Sequence, residues 1–463
     1  MKRTIRWMGA FAVFCWVSLF LLPAAMAVNA KYDFDHFPDM SDYDPNNIVK
    51  PEGDTIKIAI IAAFSGPAAA VGQSYLLPVG WVAHDINKRG GIMVDGKKKK
   101  IEIIIADNQN KPDVTLKVTE RMILQEKVDI LWGTSGSHLQ KVINQLADKH
   151  KKISVNAISL SDELMDKDNF TKYAFMTCFS TEQIGRAFAY FYGQIRKKET
   201  KFYILNQDYL FGHSLAEGFK VGLKEYFPTA QIVGEDYHKL FLTDFAPYLT
   251  KIKTSGAEVI FTGDWIPDAA NLLKQSRQMG VMLPFANIFL SDPTTLTEVG
   301  IEGTTGLMAI SQSGTGNPVF KNEGIIKYFK VWDNLWKNKW AKPYNSLSYK
   351  YPMGALGTYM TSVYWLASVL ERAGSTDPEK VIKVWEGDSY QTLGGKVMTM
   401  RACDHKMVTD LHIYEFVPPA QQKQCFNIEP YYWFEKCAGA GPVYEIPSDK
   451  AIPKADPELC KKN

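Results

Sequence analysis

The sequence predicts an α/β chain of two doubly wound lobes, each a mostly parallel sheet with helices on both faces. Three observations carry this. The run "TIKIAIIAAF" is continuously apolar, as a parallel strand buried on both faces should be. From there to about Thr177 strand-like and helix-like patterns alternate, and after Thr177 the alternation starts afresh. A length of 463 residues makes two domains the expectation.

The N-terminal segments precede this fold. Lys2, Arg3 and Arg6 lead into an apolar stretch over residues 8–22, followed by Pro23 and an A-x-A site at Ala25-Met26-Ala27. That is the pattern of a cleavable secretory signal over residues 1–27, too short and wrongly flanked for a stable membrane span. Cys15 lies inside the apolar run and follows no small-residue lipobox, so no lipid anchor is expected. Residues 28–53 are polar, acidic and turn-rich, and read as an extended leader lying on the surface.

In the first array, "TIKIAIIAAF" is followed by a loop over residues 65–74 and a helical stretch that Gly90-Gly91 stops. "GIMVDGKKKKIEIIIADNQ" reads as a hairpin whose basic tip, residues 97–100, is a solvated turn. A helix over about 112–125, a strand over 128–132, a helix over about 137–150 and the strand "KISVNA" complete it. In the second array "KFYILNQ", "QIVGEDYH" and "AEVIFTG" are strands. "YLFGHSLAEGFKVGLKEYF", "DFAPYLTKIKTSG" and "DAANLLKQSRQMG" are the helical partners. Such sheets bind ligands beyond the carboxyl ends of their strands, which singles out the loops at 65–74, 107–111, 133–137, 156–162, 207–212 and 263–267.

Composition excludes some functions. Hydrophobic content is 46 %, charged content 22 % and net charge +3, with no clustered basic face for nucleic acid. Five cysteines follow the signal. Cys178 reads as a buried free thiol. Cys403, Cys425, Cys437 and Cys460 read as two disulfides pinning an irregular tail in an oxidising compartment, with three connectivities open.

The stretch "VDILWGTSGSHLQ" tests for catalysis. A nucleophile elbow needs G-x-S-x-G; Gly133 and Ser135 fit, but position 137 is serine. No lysine makes it a phosphate loop. What remains is a small-residue turn opening a helix, with Ser137 as the N-cap candidate. Its free N–H groups and hydroxyls suit an anion such as a carboxylate; the alternative is a plain capped helix. After the next strand Ser159 and Ser161 offer hydroxyls to a polar ligand or to the following helix. In the second array Asp208, Tyr209 and Phe211 occupy the corresponding loop. Asp264 and Trp265 stand at a strand's carboxyl end, Trp265 able to stack on a ligand and Asp264 to hold an ammonium, while Asp268 reads as a helix N-cap. His84, His138, His150 and His213 show no metal spacing, and no Ser/His/Asp or Cys/His arrangement can be assembled. No enzyme, metal or cofactor is expected.

Taken together and in order, "IKIAIIAAFSGPAAAVGQS", "DINKRGGI", "WGTSGS", "DYLFGHSLAEGF", "DFAPYLTKIKTSGAEVIFTG", "LLKQSRQMG", "YMTSVYWLASVLERAGSTDPEKVIKVWEG" and "MRACDHKM" resemble the type I periplasmic solute-binding proteins of branched-chain amino acid ABC transporters, the leucine/isoleucine/valine-binding family. The resemblance covers about residues 54–420. It implies two lobes joined by three crossover strands, here near 177–180, 310–314 and 390–394, closing on a ligand by hinge motion. Lobe 1 would then hold residues 54–178 and 311–390, lobe 2 residues 179–310 and 391–425, and residues 426–463 would form a cysteine-containing tail. It implies that Ser137 takes a carboxylate, with Ser135 in the same turn and Ser159 as the next hydroxyl. The family's Y-G aromatic is Phe211 here, its second-lobe tyrosine is Trp265, and its first-loop aromatic is Val71. No glutamate follows "PFANIFL", so Asp208 or Asp264 stands in as the ammonium acid. The expected function is a monomeric periplasmic receptor that passes a branched-chain or other hydrophobic amino acid to an inner-membrane ABC permease. The aromatic cleft leaves aromatic acids, short-chain acids, amides or urea, or a partnership with a sensor ectodomain, as alternatives.

Overall fold

The structure, a computed structural model, describes residues 38–265, 267–291, 299–300, 302–312, 331–332, 334–335, 359–392, 395–418, 421 and 439–460. The expected signal (1–27), Cys425 and Cys437 fall outside them.

Lobe 1 rests on a six-stranded sheet in the order β2-β3-β1-β4-β5-β6. These strands are β1 (Thr55–Ala62), β2 (Ile92–Val94), β3 (Lys97–Asp107), β4 (Ile130–Trp132), β5 (Ile153–Asn156) and β6 (Ala174–Met176). Pairing is parallel except for the β2–β3 hairpin. There Asp95 (φ 53°) and Gly96 (φ 72°) make the left-handed turn, and the basic run 97–100, expected as the tip, instead begins β3. Ile58, Ile60, Ile130 and Val155 are buried, as central parallel strands require.

The first helix differs from the sequence reading. α1 (Ala69–Lys88) begins inside the expected 65–74 loop. The Ala68-Ala69-Ala70 run favours helix, and Gly72 lets the helix lie on the strand, since a Cβ there would come within 2.1 Å of the Ala63 carbonyl oxygen. Val71 is thus a half-buried residue of the first helical turn, packed on the lobe 1 core, rather than a loop residue. Helices α2 (Pro112–Leu124) and α3 (Ser137–His150) lie where the periodicity puts them. Residues 38–53 of the leader lie against α1: Tyr43 meets Trp81 edge-on at 5.5 Å and donates to the Leu77 carbonyl at 2.7 Å.

Lobe 2 holds a seven-stranded sheet in the order β16-β15-β11-β10-β9-β7-β8. Its strands are β7 (Lys201–Gln207), β8 (Gln231–His238), β9 (Val259–Thr262), β10 (Phe285–Asn287), β11 (Leu307–Ser311), β15 (Leu411–Val417) and β16 (Gly439–Ile446). The last two are antiparallel additions to a parallel sheet. α4 (Thr181–Tyr190), α5 (Leu210–Tyr226), α6 (Ala246–Thr254) and α7 (Asp268–Gln278) flank it. α8 (Thr361–Ala373) and α9 (Pro378–Trp385) return to lobe 1. No helix among the described residues is long and apolar enough to cross a membrane.

Two passages between the lobes run side by side. Residues 177–180 lead from β6 into α4, which Ser180 and Gln183 start with a reciprocal capping box. The Phe179 N–H donates to Gln312 Oε1 at 2.7 Å, just after β11; Gly314 is outside the described residues. The third passage lies at 405–410 rather than 390–394. Tyr390 still stacks beside Trp365, and His405 stacks on Phe175 of β6 at 4.2 Å. The chain first folds into a small antiparallel sheet of β12 (Ser389–Gln391), β13 (Val397–Met400) and β14 (Met407–Val408). Only then does it turn toward β15, with Gln183 of α4 donating to the Met407 carbonyl at 3.0 Å.

The tail is more ordered than its composition implies. β16 pairs with β15, and α10 (Ser448–Ala451) packs on α4. α11 (Pro457–Cys460) ends in a Cys403–Cys460 disulfide. Cys178 is a buried free thiol.

Candidate functional site

The lobe 1 wall is set by "WGTSGS". β4 ends at Trp132, and Gly133 follows because a Cβ there would lie 1.7 Å from Gln140 Oε1. Gln140 reaches back from α3 to accept from the Thr134 N–H at 3.1 Å and donates to Asn144 at 2.8 Å. A Gly133→Ala substitution is therefore expected to push Gln140 off this turn. It should cost about 1–3 kcal/mol of stability by overpacking, read by urea denaturation.

Ser137 is not the N-cap. Gly136 caps α3 with extended backbone, and Ser137 occupies the first helical position. The capping hydroxyl is thus unnecessary, and Ser137 Oγ is buried with no hydrogen-bond partner among the described residues. Of the two serines after β5, Ser159, expected as the next ligand hydroxyl, is used inside the fold. Asn156 folds the loop by bonding Ser159 on both backbone sides, and Ser159 Oγ donates to the Thr134 carbonyl at 2.5 Å. Ser161 precedes a short 3₁₀ turn but its side chain caps nothing; its Oγ is buried and unpartnered.

Two further buried hydroxyls were missed from the sequence: Tyr75 in α1, and Thr361 at the start of α8, which has no hydrogen-bond partner among the described residues. Burial pushes the Tyr75 phenol well above its ordinary pKa; it lies beside Ser135 and against Tyr359, ring centroids 4.7 Å apart. Lobe 1 thus gathers hydroxyl groups with hydrogen-bonding capacity to spare.

Lobe 2 gathers acceptors. Asp264 is fully buried, and its Oδ2 accepts from His238 Nε2 at 2.8 Å. His238 Nδ1 faces the Lys239 carbonyl at 2.9 Å. Both ring nitrogens meet acceptors, an arrangement that favours the imidazolium form. Burial lowers its pKa, but the hydrogen bond and charge of Asp264 outweigh this and leave it raised. Asp268 is the first residue of α7, behind the cap at Pro267, and not the N-cap. It accepts instead from Gln207 Nε2 at 2.7 Å and the Phe241 N–H at 2.9 Å. Asp264 Oδ1, Asp268 Oδ1 and Gln207 Oε1 are buried without partners among the described residues. Burial, partly offset by Gln207, raises the Asp268 pKa.

Tyr209 joins the two walls. It caps α5 by backbone alone, and its hydroxyl accepts from Trp265 Nε1 at 3.0 Å. Its ring meets that of His138, the residue after Ser137, edge-on at 5.6 Å. Burial pushes the Tyr209 phenol up, with the nearby charges of Asp264 and Asp268 adding to this, and lowers the pKa of His138. Trp265 in turn meets Phe241 edge-on at 5.8 Å.

His138, Tyr209 and Trp265 therefore form one connected set across the lobes, with Ser137 and Asp264 next to its two ends in the chain. Phe211 does not face it: it is a core residue packed where a Cβ on Gly263 would lie, near Tyr209 and Phe289. Asp208 is on the surface, its side chain 63 % exposed and paired with His213 at 2.8 Å, so it is no buried ammonium partner.

Comparisons with known proteins agree with this architecture. A family model described as periplasmic binding protein matches residues 55–423. An amino acid binding protein of Pseudomonas aeruginosa is 23 % identical over 368 residues, spanning 78 % of this chain and 90 % of that one. A Leu/Ile/Val-binding protein homologue of Brucella abortus is 25 % identical over 251 residues, 53 % of this chain and 59 % of its own. The leucine-, isoleucine-, valine-, threonine- and alanine-binding protein of Brucella ovis, in a closed conformation, superposes with a TM-score of 0.71 at 21 % identity, covering 88 % of this chain and 99 % of that one. A solute-binding protein of an ABC transporter from R. palustris, in complex with 4-hydroxybenzoate, gives 0.68 at 20 % identity over 88 % and 100 %. With two mostly parallel sheets, paired interlobe passages and a family match over most of its length, the chain belongs to the periplasmic binding protein family and has its type I fold.

Proposed function

We propose that the protein is an exported, monomeric receptor that closes on a small carboxylate-bearing solute and hands it to an ABC permease. One observation carries the reading: Ser137 Oγ is buried in the first turn of α3 and has no hydrogen-bond partner among the described residues. Unbonded N–H groups and the positive end of the helix dipole converge there and favour an anion. A buried hydroxyl left unsatisfied costs about 1–3 kcal/mol, which a bound carboxylate would recover. Ser161, Tyr75 and Thr361 add hydroxyls on the same lobe.

The other end of the solute faces acceptors. The free oxygens of Asp264, Asp268 and Gln207 favour a donor such as an ammonium or a phenolic hydroxyl, and Trp265 and Tyr209 supply aromatic surface. Relatives named for amino acids and neighbours holding hydroxybenzoates fit these two chemistries. An amino acid with a hydrophobic side chain is the first choice. Thermal shift followed by calorimetry with leucine, phenylalanine, 4-hydroxybenzoate, acetamide and urea tests this, since a ligand of the folded form raises the melting temperature by mass action. Binding confined to the uncharged amide or urea would overturn the carboxylate reading.

A further inference from the structure

We infer that the C-terminal tail is a fourth connection between the lobes, a disulfide-anchored strap that restrains their opening. The inference rests on the protein being a receptor whose lobes move. The tail changes sides over a few residues, with Lys454 still within electrostatic reach of Glu225 on α5. Up to Ala451 it belongs to lobe 2: β16 extends that sheet, α10 packs on α4, and the Ile452 N–H closes α10 on the Ser448 carbonyl at 2.8 Å. From Pro453 it belongs to the other side: the Pro453 carbonyl accepts from Arg401 Nη1 at 2.8 Å, Glu458 meets Lys167 at 3.3 Å, and Cys460 is bonded to Cys403.

The loop at 401–406 is itself fixed to lobe 1. His405 Nδ1 pairs with the Ala174 carbonyl at 2.9 Å, the Met176 N–H donates to the His405 carbonyl at 2.9 Å, and Lys406 Nζ reaches Asp162 at 2.9 Å. Consecutive Cα atoms are only about 3.8 Å apart, so the Ile452–Pro453 link has no slack. Opening must either pivot beside it or peel Pro453 from Arg401. The exposed Lys167–Glu458 pair is weak; the disulfide is what keeps a peeled segment from leaving. Cysteine pairing in the compartment thereby sets how far the empty receptor gapes.

The test compares the wild type with the Cys403→Ser/Cys460→Ser double variant by small-angle scattering and amide hydrogen exchange, without solute. The expected result is a larger radius of gyration for the variant and faster exchange confined to residues 453–460, with β16 and α4 unchanged. Faster exchange with identical scattering would overturn the inference, as would unchanged exchange. Wild type reduced under native conditions and alkylated should repeat the result without mutation; unfolding by both routes would make the bond a folding staple and also overturn it. Scattering of the wild type with leucine and with 4-hydroxybenzoate checks lobe closure separately, so a receptor that never closes is distinguished from a strap that does not restrain.

Discussion

Replacing Ser137 by alanine is expected to weaken solute binding by about 10- to 150-fold while leaving the fold intact. The hydroxyl bonds nothing within the described residues, so its removal deletes no internal interaction and relieves a buried, unsatisfied group. In the complex the same hydroxyl would bond a charged carboxylate, which is worth about 1.5–3 kcal/mol, and each 1.4 kcal/mol is tenfold in Kd. Ser159→Ala should behave in the opposite way. It orphans the buried Thr134 carbonyl and should cost about 1–3 kcal/mol of stability. Calorimetry and urea denaturation on both variants separate the roles; equal affinity for Ser137→Ala and wild type would remove Ser137 from the site.

Replacing Asp264 by alanine should have the largest effect on stability. Its carboxylate and the His238 imidazolium are both fully buried, and removing one member of such a pair leaves an uncompensated charge at a cost of about 3–5 kcal/mol. The pair also gives stability a pH signature. His238 has a raised pKa in the fold, so its contribution is complete below the ordinary histidine value of 6.5 and is lost as pH rises through the higher folded value. Urea midpoints for the wild type should therefore fall as pH rises above the ordinary histidine value of 6.5, and the variant should lack that part of the slope. A variant as stable as wild type, with the same pH profile, would show that the pair does not hold lobe 2 together.

Local chemistry made much of this legible. Alternating patterns gave the strand and helix order and the β2–β3 hairpin, though its turn falls at Asp95 and Gly96, just before the basic run expected at its tip. The small-residue turn before α3 marked Ser137. What escaped depends on partners remote in sequence. Ser159 and Ser161 look alike in the chain, and only the Thr134 carbonyl decides which hydroxyl is used. Asp208 and Asp264 both follow strands, yet one meets solvent and the other meets His238 at the end of β8, two strands away in the sheet. Tyr75 and Thr361 come from helices that converge only in the folded lobe. The late third passage escaped because the β12–β14 sheet is built from short, weakly patterned runs.

The strand β16 bears on how the chain avoids self-association. Without it, β15 would present an open row of amide and carbonyl groups, a template for pairing with another copy. β16 covers that row and ends it: Pro442 lacks an N–H to donate, and Gly441 fits beside the Glu415 carbonyl where a Cβ would come within 2.5 Å. A folding chain would be most prone to self-association before this last strand docks. The "GAGP" segment of β16 is thus a safeguard of refolding as well as part of the sheet.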